Sequence, residues 1–114
     1  ILLNDWPVPG MYGDISEEIN RALNHLALMD RSYLAKVLLK GSDTRELLNR
    51  ITTNDMNKLL AGSACDTVFS TPHGRIIDFC RLLNLGDSYM LISAHPDQQH
   101  LYNWINRFIT IEDV

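Results

Sequence analysis

Cysteine is scarce in this sequence. Only Cys65 and Cys80 occur among 114 residues, with no Cys-x-x-Cys pair. Two thiols set no disulfide framework, and a structural zinc site needs convergent ligands at short spacings. The expected setting is reducing: cytoplasmic, or mitochondrial if the source is eukaryotic. Basic clusters are missing too. Lys and Arg total 10 against 14 Asp and Glu, for a net charge of −4. Lys36, Lys40, Arg45, Arg50, Lys58 and Arg75 are scattered. Tracking phosphates requires bunched cations, so no nucleic-acid partner is expected. The acidic balance also opposes docking on an anionic membrane. No apolar run approaches the ~20 residues of a membrane helix, so no membrane association is expected. Internal repeats and low-complexity stretches are absent. The chain opens on Ile1 and closes in the alternating run Thr110-Ile111-Glu112-Asp113-Val114. That run reads as a strand beginning, and both ends read as cut from something longer.

What is present is ordinary for one globular domain: 46% of the residues are apolar. Residues 1–13 hold Pro7, Pro9, Gly10 and Gly13 and read as an extended N-terminal arm. Asp14 or Ser16 can cap a helix over 15–27, with Ile15, Ile19, Ala22, Leu23 and Leu26 on one face. Tyr33–Leu39 reads as a strand with Lys36 and Lys40 on its wet side and Leu38 interrupting them. Gly41 ends it. Asp43-Thr44-Arg45-Glu46 has the spacing of a capping box, followed by inward Leu47, Leu48 and Ile51. Thr52-Thr53-Asn54-Asp55 breaks that helix and caps a short successor through Leu60. Strands follow over 64–70, 75–85 and 88–94, joined by Thr71-Pro72-His73-Gly74 and Gly86-Asp87. Pro96 suits a first helical position, and Leu101, Trp104, Ile105 and Phe108 make a last amphipathic helix. The fold class is therefore α+β, a mainly antiparallel sheet with flanking helices, in a domain over 14–114.

Cys65 and Cys80 fall opposite one another if Pro72 and His73 centre an ideal hairpin. They would then be cross-strand neighbours within ~5.5 Å, although a bulge shifts such a register. His25, His95 and His100 share no ligand spacing, so no metal is expected. Trp6, Trp104 and the tyrosines read as packing anchors.

Three stretches resemble one known family. They are Val37–Asp43, the run Leu47-Leu48-Asn49-Arg50-Ile51-Thr52-Thr53-Asn54-Asp55, and Gly74-Arg75-Ile76-Ile77-Asp78-Phe79. In this order and at these separations they are similar to the N-terminal part of the folate-binding aminomethyltransferases. That family includes the glycine-cleavage T-protein and the YgfZ type linked to iron–sulfur protein maturation. The resemblance implies a larger three-domain protein around a folate cavity. It implies tetrahydrofolate as cofactor, and a lipoyl carrier protein or iron–sulfur proteins as partners. Cofactor contacts are expected from Leu34, Phe79, Leu83 and Ser93. T-proteins carry two adjacent aspartates after the Gly-x-Ile-Ile turn, and use the second at the reacting centre. Here the pair is Asp78-Phe79. A benzyl ring neither titrates nor carries charge, so no catalytic residue is assigned. Asp30 and Ser32 match the family's Asp-Val-Ser-His-Met-type run, while Tyr33 and Leu34 replace its His and Met. Ser93 stands where an Asn is usual, and Leu83 and Asp66 where aromatics are. Two functions follow: a tetrahydrofolate-dependent transferase, or a non-enzymatic folate-binding factor for iron–sulfur protein assembly or repair. Phe79 favours the second.

Overall fold

The computed structural model describes residues 1–3, 5–93, 95 and 97–114. The chain divides into two compact units, residues 1–33 and 34–114.

In the first unit, β1 (Leu2–Leu3) pairs antiparallel with β2 (Trp6–Pro7), so the arm is a small hairpin. Helix α1 (Ile15–Asn24) starts where expected, with Asp14 accepting from Glu17 N at 3.0 Å. It stops three residues short of the expected end. Asn24 Nδ2 donates back to Asn20 Oδ1 and Asn20 O, the local competition by which asparagine ends helices. The apolar face of α1 is exposed at Ile15, Ile19 and Leu23. Trp6 and Tyr12 are exposed too, so neither is the packing anchor expected from the sequence.

The second unit is a four-stranded antiparallel sheet in the order β3 (Lys36–Leu39), β6 (Tyr89–Ser93), β5 (Ile76–Asn84), β4 (Ala64–Ser70). Two helices, α2 (Thr44–Ile51) and α3 (Gln98–Asn106), supply the apolar partners of one sheet face. Leu47 and Leu48 of α2 and Leu101 and Ile105 of α3 meet Phe69, Cys80, Leu82 and Leu91 in a single core. Each fully buried large side chain contributes roughly 1.5–3 kcal/mol. Tyr89 is buried in this core, and Trp104 meets Phe108 edge-on at 5.4 Å beside it. The α+β class expected from the sequence is observed. The expectation for Pro96, and Ala94 as the last residue of β6, fall outside the described residues. Helix α3 as described starts at Gln98, capped by Asp97.

The Thr-Thr-Asn-Asp corner closes the outer edge of β4. Thr53 N donates to Val68 O (3.1 Å), and Thr53 Oγ1 accepts from Val68 N (3.2 Å). Asn54 Nδ2 donates to Asp66 O (2.6 Å). These side chains satisfy ladder groups that an edge strand otherwise leaves open. Asp55 then caps a single 3-10 turn, Met56–Lys58.

The expected capping box at Asp43 does not form. Asp43 makes no side-chain cap bond; its Oδ2 accepts from Asp113 N at 2.9 Å. A partner seventy residues away thus wins over the local one. Nor is 110–114 a strand. It crosses the end of β3, with Asp113 accepting from Ser42 and Asp43, and Glu112 bound to Arg50 at 2.7 Å. Arg50 first, then the N–H groups of Thr110 and Ile111, hold the Glu112 carboxyl far below its ordinary 4.5. A depressed native value makes this contribution full above the unfolded value and lost as pH falls below it. Glu112→Gln should therefore flatten the acid limb of stability below about pH 4.5. Urea midpoints across that range check it. An unchanged slope contradicts the ion-pair role.

The β4–β5 register differs from the ideal hairpin. Gly74 sits at φ +77° and closes the turn through its N–H to Thr71 O. A second shift falls between Phe69 and Ser70. Cys65 therefore opposes Leu82, and Cys80 opposes Thr67. The cysteines lie on a diagonal, about 7–8 Å apart, beyond the ~3.5–4.5 Å of bridged Cβ atoms. Burial, then the Asp78 carboxylate, pushes the Cys80 thiol up sharply; burial, then Asp66, raises that of Cys65. Neither is poised as a thiolate.

Thr67 Oγ1 is buried beside Cys80, with no hydrogen-bond partner among the described residues. Thr67→Val removes that unmet hydroxyl and should stabilise by about 1 kcal/mol. A higher urea midpoint is the expected result, and a lower one would show that the hydroxyl is bonded.

Candidate functional site

Strand alternation sorts the expected site residues onto two faces. Paired residues share a face, so the register places Leu38, Met90, Leu83 and Ala64 in one row. Lys36, Ile92, Arg81 and Asp66 form the next, and Phe79 lies beside Val68 in a third. These rows make up the sheet face turned away from the core. It is unusually apolar for a face no helix of this unit covers. Phe79 is 50% exposed, as is Leu38, and Leu83, Met90, Ile92 and Val68 are half-buried. Leu34 precedes β3 with the same parity as Lys36 and Leu38, and is also half-buried. Phe79 and Leu83 thus belong with this outer face, whereas Leu34 lies in a bend two residues before β3, outside the paired strand.

Ser93 does not. It is 1% exposed and pairs with Cys80 on the inner face. Its hydroxyl donates to Asp78 Oδ2 at 2.5 Å and accepts from His95 N at 2.8 Å. Asp78 is 4% exposed. The two members of the Asp78-Phe79 pair therefore point to opposite sides, as period-two alternation requires. His95 and His100 do meet, with rings stacked at 4.7 Å, although their spacing showed no shared helical face. Among the described residues no three metal-ligating side chains converge.

Among the described residues of these rows, one carboxylate stands on the outer face. Asp66 is held in a two-pronged pair with Arg81, at 2.8 and 3.0 Å. That bond keeps its carboxyl below the usual range. It lies one row from Phe79, diagonally across β4 and β5. No acid therefore occupies the Phe79 position, and the nearest in sequence is locked beneath the sheet. The face presents an exposed ring and aliphatic side chains, with one compensated charge pair. Contact, orientation and exclusion of water are what such a surface can supply.

The sequence reading missed Asp113 and Asn84. Asn84 is 2% exposed, donates to Leu59 O (2.9 Å), and joins the 59–63 loop to β5. A polar residue closing an apolar strand next to Gly86 was the available signal.

Comparison with known proteins is consistent with this geometry. The family model described as the GCVT N-terminal domain matches residues 2–114. A probable aminomethyltransferase of Thermococcus gammatolerans is 31% identical over 102 residues, covering 89% of this chain and 26% of that protein. The aminomethyltransferase of Staphylococcus carnosus is 29% identical over 102 residues, covering 28% of its length. The chain thus spans about a quarter of these curated relatives. The crystal structure of glycine cleavage system aminomethyltransferase T from Bartonella henselae matches with a TM-score of 0.67 at 18% identity. The match covers 73% of this chain and 24% of that one. At that identity the likeness speaks for the fold.

Proposed function

The chain belongs to the GCVT N-terminal domain family, and on that premise we propose that it is the N-terminal part of a tetrahydrofolate-binding protein of one-carbon metabolism. The outer sheet face carries the reading. Phe79, Leu83 and Leu34 would face the ligand, with the Phe79 ring against the pterin. Ser93 would act from beneath, fixing Asp78 and with it the end of β5. The family's larger three-domain organisation would enclose this face.

A second reading has its own observation. The position that T-proteins use for their reacting carboxylate holds Phe79 here, half-exposed, with Asp78 buried on the other side. Stabilising a developing positive charge requires an anion aimed at it. A site without one favours a non-enzymatic factor that binds folate and serves iron–sulfur proteins, over aminomethyl transfer from a lipoyl carrier protein.

Calorimetric titration of the intact protein with tetrahydrofolate tests the shared part. Saturable heat is expected, and none at high micromolar ligand would sink both readings. An aminomethyl-transfer assay separates them: turnover would favour the transferase, and binding without turnover the accessory factor.

A further inference from the structure

The outer sheet face sets one charge pair among apolar side chains. Arg81 is flanked along β5 by Phe79 and Leu83, and by Ile92 across on β6. Its partner across on β4 is Asp66. Among the described residues of β4, β5 and β6, no other charged side chain shares this face. The pair is a poor device for stability. Its side chains are 61% and 45% exposed, and exposed ion pairs contribute little. The main chain here is already tied down, since Asn54 Nδ2 donates to Asp66 O. What the pair does have is unused bonding capacity. Arg81 bonds Asp66 through Nε at 2.8 Å and Nη2 at 3.0 Å, each to its own carboxylate oxygen. The Nη1 donors of Arg81 meet no acceptor among the described residues. Each Asp66 oxygen keeps a further lone pair. The bond to Arg81 holds the Asp66 carboxyl below the usual range, so it is an acceptor at neutral pH.

We propose that Asp66 and Arg81 together recognise a lactam edge, a ring N–H beside a ring C=O, on the heteroaromatic ligand that Phe79 stacks. The inference rests on the reading of the outer face as the ligand face. Arg81 donates to the ring carbonyl, and Asp66 accepts from the adjacent ring N–H. The two-pronged bond between them fixes donor and acceptor side by side. Arg81 lies two residues along β5 from Phe79, about 7 Å away. Asp66 lies on the diagonal from Phe79, at about 7–8 Å. A fused two-ring guest centred on the Phe79 ring brings its edge within hydrogen-bond reach of both. Once docked, the guest shields the pair from water, and its bonds strengthen in the drier setting. A ring with an amino group in place of the carbonyl presents a donor to Arg81 and a bare nitrogen to Asp66, a mismatch at both positions. Phe79 and the aliphatic side chains offer no hydrogen bond, so this discrimination falls to the ion pair.

The test is calorimetry on the intact protein with tetrahydrofolate and with its 4-amino analogue, tetrahydroaminopterin. These two ligands differ only at the lactam edge. Tetrahydrofolate should bind about tenfold more tightly. Arg81→Met keeps the aliphatic stem and removes the donors. It should weaken tetrahydrofolate about tenfold and leave the analogue nearly unchanged, with the urea midpoint scarcely moved. The exchange D66R/R81D rebuilds an ion pair with donor and acceptor transposed, and should not restore the preference for tetrahydrofolate. Restoration there would give the pair a structural role and overturn the lactam assignment. Equal affinity of the unaltered protein for the two ligands, or a preference that survives Arg81→Met, would overturn it too while leaving the ligand face standing. No saturable heat with either ligand would remove the ligand face, and this inference with it.

Discussion

Gly41→Ala is expected to destabilise the protein by about 4 kcal/mol. Two effects add. Gly41 sits at φ +127°, a region that residues with a Cβ rarely adopt. Forcing one there costs of order 1–3 kcal/mol. A Cβ would also lie 2.0 Å from Asp113 O and 2.6 Å from its carbonyl carbon. Those atoms are backbone and cannot rotate away, and overpacking of this kind costs typically 1–3 kcal/mol more. The 110–114 segment would have to lift off the end of β3. The bonds of Asp113 to Ser42 and Asp43 would go with it, and the Arg50–Glu112 pair would weaken. Urea unfolding measures the loss, and the Ser42 amide resonance reports the docking. Ser42→Ala is the control. It removes the hydroxyl contacts to Asp113 at 3.1 Å and to Asp43 at 3.4 Å, keeps the Ser42 N–H bond to Asp113, and should cost under about 1 kcal/mol. A loss below 1 kcal/mol for Gly41→Ala would contradict the close approach.

Ser93→Ala should cost about 2–3 kcal/mol, the upper range for a hydrogen bond to a buried charged group. The Asp78 carboxylate would lose its hydroxyl donor, and His95 N its acceptor. Alanine also leaves a small void beside Cys80, which has no exposed surface. Affinity for tetrahydrofolate, measured on the folded variant, should move little, because this side chain faces the core. A drop in affinity without loss of stability would give Ser93 the direct ligand contact that the family resemblance implies.

The elements legible in the sequence were those with a strong local period or a punctuating residue. The 64–70 strand was read at its observed limits, because alternation there is bounded by Gly62-Ser63 and Thr71-Pro72. The face of α2 was legible from Leu47, Leu48 and Ile51. Less legible were features settled by distant partners. Asp43 looks like a helix cap because Glu46 follows it, yet it serves Asp113. The Thr-Thr-Asn-Asp corner reads correctly as a helix end, but its closure of the β4 edge depends on Val68 and Asp66. The hairpin register failed by two residues. Proline and histidine mark the turn but carry no sign of the shift at Phe69 and Ser70. Within the site, alternation alone put Asp78 and Phe79 on opposite faces. It could not tell which was buried, and so did not separate Ser93 from the outer residues.

The most direct check is a calorimetric comparison of tetrahydrofolate binding by the unaltered intact protein and Phe79→Ala. Phe79 is half-exposed, so its removal should leave the fold intact. Loss of one stacked ring should weaken binding by about tenfold, a change of about 1.5 kcal/mol. Equal affinity of the two proteins would contradict the assignment of the outer sheet face as the ligand surface.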